Sequence, residues 1–163
     1  MSADPPPAPP IVPAVIQVSD GSAPFLLLHA TGTQNYICRT AGAWTFEAPS
    51  ATLHDDQGNE AGTHFAGPTW KAVDGSAVVG AMVANVTQDP DSIPWLLLRA
   101  VSTTLGPEGG DLLVTTAYIQ RVNTSGGLSP VTGCDVGDTA NVPYTADYYF
   151  YRPAPGRAAE GAG

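Results

Sequence analysis

An all-β fold, an antiparallel sandwich or barrel-like sandwich with long loops, is predicted by three features of this sequence. Glycine and proline are frequent, 18 and 16 of 163 residues, and interrupt nearly every window long enough for a helix, where each proline costs ~3 kcal/mol and each glycine ~1. Short runs rich in apolar, β-branched and aromatic residues recur between Gly, Asn and Pro. Several of these runs alternate in polarity, the period of a strand with one buried face.

The chain opens on "MSADPPPAPPIVPAV", which has neither a basic head nor an apolar h-region, so residues 1–20 read as a Pro-rich tether rather than an intact signal peptide. Strand-like runs follow: "FLLLHAT" (Phe25 to Thr31), "QNYICRT" (Gln34 to Thr40), "AWTFE" (Ala43 to Glu47), "SATLHD" (Ser50 to Asp55) and "PTWKAV" (Pro68 to Val73). The series continues with "SAVVGAMVANV" (Ser76 to Val86), "PWLLLRAVS" (Pro94 to Ser102), "LLVTTAYIQRV" (Leu112 to Val122) and "PYTADYYFYR" (Pro143 to Arg152). Trp44 and Phe46 point one way with Thr45 and Glu47 the other; Val78, Met82 and Val86 share a face interrupted by Gly80. The tracts Leu26 to Leu28 and Leu96 to Leu98 are apolar on both sides and are expected to be covered on both faces. One domain, residues 21–152, holds all of these runs, and 153–163 are expected to be a disordered tail, like the first dozen residues or more.

The leucine tracts sit in similar surroundings. "SAPFLLLHATGT" aligns with "SIPWLLLRAVST", and each is followed by Tyr-Ile-x-Arg, at Tyr36 to Arg39 and Tyr118 to Arg121. This pattern suggests an internal duplication into two half-domains; the alternative is coincidence between short apolar runs. In a chain with six basic residues, Arg39 and Arg121 are each expected to have a carboxylate or carbonyl partner, as a structural pair at a sheet rim.

Composition narrows the function classes. Charged residues make up 13%, against a usual figure of about 25%, and 15 acids against 6 bases give a formal net charge of -9. Binding nucleic acid takes clustered Lys and Arg, which this chain lacks, and anionic membrane surfaces are disfavoured for the same reason. No run approaches the ~18 to 20 apolar residues of a membrane span. Cys38 lies in a strand-like run and Cys134 in a loop, without a CxxC, so a cysteine-based metal site is not expected. Pairing them would close a loop of nearly a hundred residues, worth ~4 to 5 kcal/mol in the chain-entropy view. The alternative is two free thiols in a reducing compartment.

Three histidines could carry chemistry. His29, in the first leucine strand, reads as a strand-end residue with one satisfied nitrogen. His54 heads "HDDQGNE", whose order does not match a calcium loop and reads as a hairpin with acidic tips. His64 is the stronger candidate, in "GTHFAGPTW", where Gly62, Gly67 and Pro68 suggest a bent or bulged strand that projects His64, Phe65 and Trp70. One imidazole nitrogen could meet a ligand or metal beside an apolar or sugar-stacking Trp70; otherwise Phe65 and Trp70 are core aromatics and His64 bonds a carbonyl. No GxSxG, HExxH, P-loop or dinucleotide fingerprint is present, so no catalytic residue is assigned and no cofactor is expected.

The stretch "GTHFAGPTW", with "IPWLLL" and "YIQRVNTSGG" followed by "TGC", resembles a domain-of-unknown-function family of exported proteins in bacteria and fungi. The likeness covers approximately Ala23 to Tyr151. Its matching positions include Gln34, Tyr36 and Cys38, then Gly62, His64, Gly67, Pro68 and Trp70, Asp74 to Ser76, Arg121, Cys134 and Tyr149. Members generally carry a signal sequence, so the resemblance implies a secreted or periplasmic location but no activity. The expected protein is therefore an exported, non-catalytic binding or surface-associated module tied by Cys38 and Cys134. Its candidate ligand residues are His64, Trp70, Phe65, Tyr36 and Arg121, with His64 the first choice if a metal binds. A small molecule, a glycan or a cell-surface component would be the partner. The alternatives are a secreted hydrolase or metal-binding protein at His64 and Trp70, and a structural cell-envelope protein.

Overall fold

A computed structural model describes residues 5–19 and 21–154. Eight strands follow one another in chain order: β1 (Ser22–Thr40), β2 (Ala43–His54), β3 (Glu60–Phe65), β4 (Thr69–Ala72), β5 (Ala77–Val86), β6 (Trp95–Thr104), β7 (Tyr118–Gly126) and β8 (Thr139–Pro153). Each pairs antiparallel with the next, and β8 returns to β1, so one sheet closes on itself as a barrel. Closure leaves no edge strand to recruit another chain. Of the two expected forms, then, the single closed sheet is found rather than two separate layers. The ring is uneven: β1 and β8 pair from Ser22–Pro153 to Ile37–Thr139, whereas β4 has only four residues.

Alternation explains what lies inside. On β8, Tyr144, Ala146, Tyr148 and Phe150 are buried in the main core with Leu28, Ala30, Leu53, Trp70, Val78, Leu98 and Ile119. One end of the barrel is packed shut. There Asp74, in the β4–β5 turn, accepts hydrogen bonds from the backbone and hydroxyl of Ser76 (2.9 and 2.6 Å) and from the Leu112 N–H (3.0 Å). Ser76 Oγ accepts from the Leu113 N–H at 3.1 Å, and the fully buried Leu113 plugs the barrel from the β6–β7 connection. The chain turns of the other end surround an opening.

A smaller apolar cluster lies on the outer wall, where Val12 and Ile16 pack on Leu97 and Val122. A short 3-10 turn, Ala14–Ile16, carries Ile16, whose carbonyl accepts from Gln120 Nε2 at 2.8 Å. This is how the second leucine tract is covered on both faces: Leu98 faces the core and Leu97 faces the N-terminal segment. The stretch read as a free tether is therefore partly docked, because Val12 and Ile16 are apolar enough to bury. The disorder expected of 153–163 falls mostly outside the described residues; Pro153 ends β8, and the Ala154 N–H bonds the Gly21 carbonyl at 2.8 Å.

The two Tyr-Ile-x-Arg copies do not occupy equivalent places. In the first, the leucine tract and the motif share β1; in the second they are split between β6 and β7. Their faces are also inverted. Tyr36 turns inward and Arg39 outward, while Tyr118 joins the outer cluster and Arg121 turns inward. A one-residue slip of register is enough to do this. Each arginine does have a partner, Glu47 at 3.8 Å for Arg39 and the Pro94 carbonyl for Arg121.

Candidate functional site

The open end holds a cavity of about 570 Å³, within the ~300 to 1,000 Å³ of small-molecule sites. Its floor is built by the β3–β4 hairpin. Toward β4 the register sets His64 opposite Trp70 and Phe65 opposite Thr69 without a bulge, so the device at Gly67 is a tight hairpin; the bulge expected from the glycines lies on the β2 side, where Leu53 pairs with Gly62 and His54 with Glu60, leaving Ala61 extra. Gly67 makes that turn, with φ of 142° and its Cβ direction blocked 2.4 Å away by Thr69 Oγ1. Because neighbours on a strand face opposite ways, His64 and Trp70 enter the barrel while Phe65 is left 40% exposed outside. Phe65 does not line the cavity, which corrects its place among the candidate ligand residues.

The His64 and Trp70 rings stack at 4.5 Å and 21°. Tyr148 packs against both, at 5.0 and 5.5 Å, and Phe150 continues the column below Trp70 at 6.2 Å. Thr69 offers only a carbonyl to His64 Nδ1, at 2.9 Å, so Nδ1 carries the proton and Nε2 presents its lone pair. Burial pushes the His64 pKa down to about 4, with Arg121 adding to the effect against the Thr69 bond, and the ring is neutral at pH 7. Burial raises the Tyr148 and Tyr144 hydroxyls, which share a contact of 3.1 Å, so both stay protonated.

The wall combines Arg121 from β7 with Gln34 and Tyr36 from β1. Arg121 donates through Nε and Nη2 to the Pro94 carbonyl at 3.0 and 2.8 Å, which fixes the guanidinium at the cavity. The Tyr36 hydroxyl donates to the Gly127 carbonyl, and its ring meets Phe46 edge-on at 5.6 Å. In the β1–β2 pairing the register shifts between Asn35–Ala48 and Tyr36–Phe46, so Glu47 is the extra residue on β2, while β1 runs regularly against β8 there and keeps Gln34 and Tyr36 on one face. Phe46, Met82, Leu96 and Leu98 supply apolar wall and rim. Behind this lining Trp70 Nε1 and Gln34 Nε2 are themselves buried and have no hydrogen-bond partner among the described residues.

Thus four of the five residues singled out from the sequence, His64, Trp70, Tyr36 and Arg121, line one cavity. Gln34 and Tyr148 were missed, although the alternating aromatics of "YTADYYFY" carry a signal for the second. Cys38 and Cys134 form a disulfide, with Cα atoms 6.0 Å apart, tying β1 to the β7–β8 connection beside the opening. The other two histidines are elsewhere. His29 faces outward between Asp147 and Asp56, with both nitrogens bonded where one was expected (2.6 and 2.7 Å). His54 ends β2 beside a hairpin in which Asp55 accepts from the Gln57 and Asn59 N–H groups, the acidic turn expected there. Among the described residues no group of three or more His, Cys, Asp or Glu could hold a metal ion.

Comparison with known families gives a match over residues 19–152 to a protein family of unknown function, DUF3455. The chain belongs to that family. Among curated proteins and among solved structures no match is found. The DUF3455 match begins where the docked N-terminal segment ends and takes in all eight strands, so closed end, cavity and disulfide are all within it.

Proposed function

We propose that the protein is an exported, non-catalytic binding protein whose barrel mouth receives a small organic molecule. The observation that carries this reading is the cavity of about 570 Å³ itself, floored by His64 and Trp70 and walled by Arg121, Gln34 and Tyr36. Mostly apolar walls with a few fixed polar groups are the usual make-up of such sites.

A hydrolase has less support. The lining contains no Ser, Thr or Cys nucleophile and one carboxylate, Glu47, so neither covalent catalysis through those groups nor a carboxylate pair is at hand. Export is favoured by the disulfide, which persists in oxidising compartments, and the mouth could equally present part of a glycan or cell-surface component.

The neutral probe N-phenyl-1-naphthylamine tests the site. Its fluorescence should rise and saturate at one probe per chain, and Met82→Trp, which enlarges a rim side chain, should abolish the rise. Enhancement indifferent to that substitution, or none at all, would end the reading. For export, protein from its native host should resist thiol alkylation; recovery only from cytoplasm with both cysteines alkylated would count against it.

A further inference from the structure

We infer that the mouth cavity selects an amphipathic monocarboxylate, whose head pairs with Arg121 above the aromatic floor and whose apolar body points to the rim. This rests on the binding reading and adds the chemical class of ligand. Arg121 is the carrier. In a chain with 15 acids and 6 bases, chance favours a carboxylate near any cation, yet among the described residues Arg121 has none within 4.0 Å. Its partner is the neutral Pro94 carbonyl, which takes two of five N–H groups and leaves the charge unanswered. The cavity's one carboxylate, Glu47, stands half-exposed and pairs with Arg39.

Other polar groups point the same way. Apart from Glu47, the polar side chains beside Arg121 in the lining are Gln34, Tyr36, His64, Asn85 and Tyr148, none of which brings a negative charge to the guanidinium. A ligand carboxylate supplies the charge that is missing. Arg121 also depresses the pKa of His64 and opposes the rise at Tyr36 and Tyr148, which is the effect of a positive potential across the lining. Around this end Phe46 and Met82 remain 47% and 59% exposed at the rim, apolar surface that a hydrocarbon body would cover. A carboxylate suits a single guanidinium in both charge and planar shape. A phosphate monoester brings ~1.5 to 2 negative charges, more than one arginine balances.

Calorimetric titration of the intact oxidised protein tests this with matched pairs: octanoate against 1-octanol, and 2-naphthoate against 2-naphthalenemethanol, with octyl phosphate as a third head. The expected result is about tenfold or tighter binding of each acid over its alcohol. Arg121→Gln should erase that preference, read as the acid-to-alcohol affinity ratio within the variant, and Arg121→Lys should retain part of it. Since Arg121 also holds the Pro94 loop, melting temperatures and near-ultraviolet dichroism of both variants establish that they fold. If the Gln variant does not fold, the acid-over-alcohol preference of wild type and Arg121→Lys decides, since it should fall as the acid is protonated at low pH. Equal affinity for acid and alcohol would overturn the carboxylate inference and leave the cavity reading standing. Tighter binding of octyl phosphate would overturn the head-group assignment, and no binding of any compound would remove both readings.

Discussion

His64 and His29 respond to pH in opposite senses because one is buried against a carbonyl and the other lies between carboxylates. Folding holds His64 near a pKa of about 4, below the ordinary 6.5, so the unfolded chain takes up its proton first as pH falls. Stability contributed by the neutral ring is complete above pH 6.5 and is lost between there and pH 4, by about 3 kcal/mol at the lower limit. For His29, burial lowers the pKa, but hydrogen bonds to Asp147 and Asp56 outweigh it and the net shift is upward. Its contribution is full below pH 6.5 and disappears as pH rises through the folded value; exposure of 38% of the side chain keeps it small. Urea denaturation should show His64→Gln flattening the loss between pH 6.5 and 4, and His29→Asn flattening the decline above 6.5. The reverse assignment would contradict the two environments. His64 was legible as the central candidate because Gly62, Gly67 and Pro68 mark a bent or bulged strand, although the tight hairpin at Gly67 was not read from them. Phe65 was misplaced because nearness in sequence was taken for a shared face, whereas the strand's pleat sends adjacent side chains apart.

The β3–β4 hairpin works as a floor only because β5 makes room for it. A Cβ at Gly80 would lie 3.0 Å from Trp70 Cζ3 and 3.4 Å from Cη2, so the missing side chain sets how far the indole can lean across the barrel. Gly80→Ala should therefore push Trp70 by a few tenths of an ångström into His64 and Tyr148. Overpacking of this kind costs ~1 to 3 kcal/mol. The expected outcome is a lower melting temperature and an altered near-ultraviolet tryptophan band, with the far-ultraviolet spectrum unchanged. An unaltered band would mean that Gly80 has no part in placing the ring. Strands as elements could be read from their alternation, and "PYTADYYFYR" became the long β8 in which every second residue from Tyr144 to Phe150 is buried. Bulges could not be read: register shifts at Val79/Gly80 and Met82/Ala84 break the face on which Val78, Met82 and Val86 were aligned. Val78 is core, Met82 rim and Val86 outer wall. A bulge adds one residue to one strand of a pair, and its position depends on the partner strand, which local sequence does not specify.

At the scale of the whole molecule the two ends of the barrel are fastened by different means. Hydrogen bonds from Asp74 and Ser76 and the side chain of Leu113 close one end. Around the mouth the Cys38–Cys134 disulfide is accompanied by Cys38 N–H to Asp138 O (2.8 Å), Gly137 N–H to Cys38 O (2.8 Å) and Trp44 Nε1 to Thr132 O (2.9 Å). The bridge spans 96 residues of sequence, so its loss should lower global stability by up to about 5 kcal/mol. Locally the effect should be uneven. In a Cys38→Ala, Cys134→Ala variant, amide exchange should accelerate first in residues 127–138 and in the neighbouring tips of β1 and β2. The amides of Ser76, Leu112 and Leu113 should keep their protection until the barrel unfolds as a whole. Binding at the mouth should weaken along with the local change, since the Gly127 carbonyl that holds Tyr36 belongs to the loosened connection. Uniform acceleration at both ends would show instead that the disulfide acts only through the unfolded chain, and that the mouth is shaped by the sheet alone.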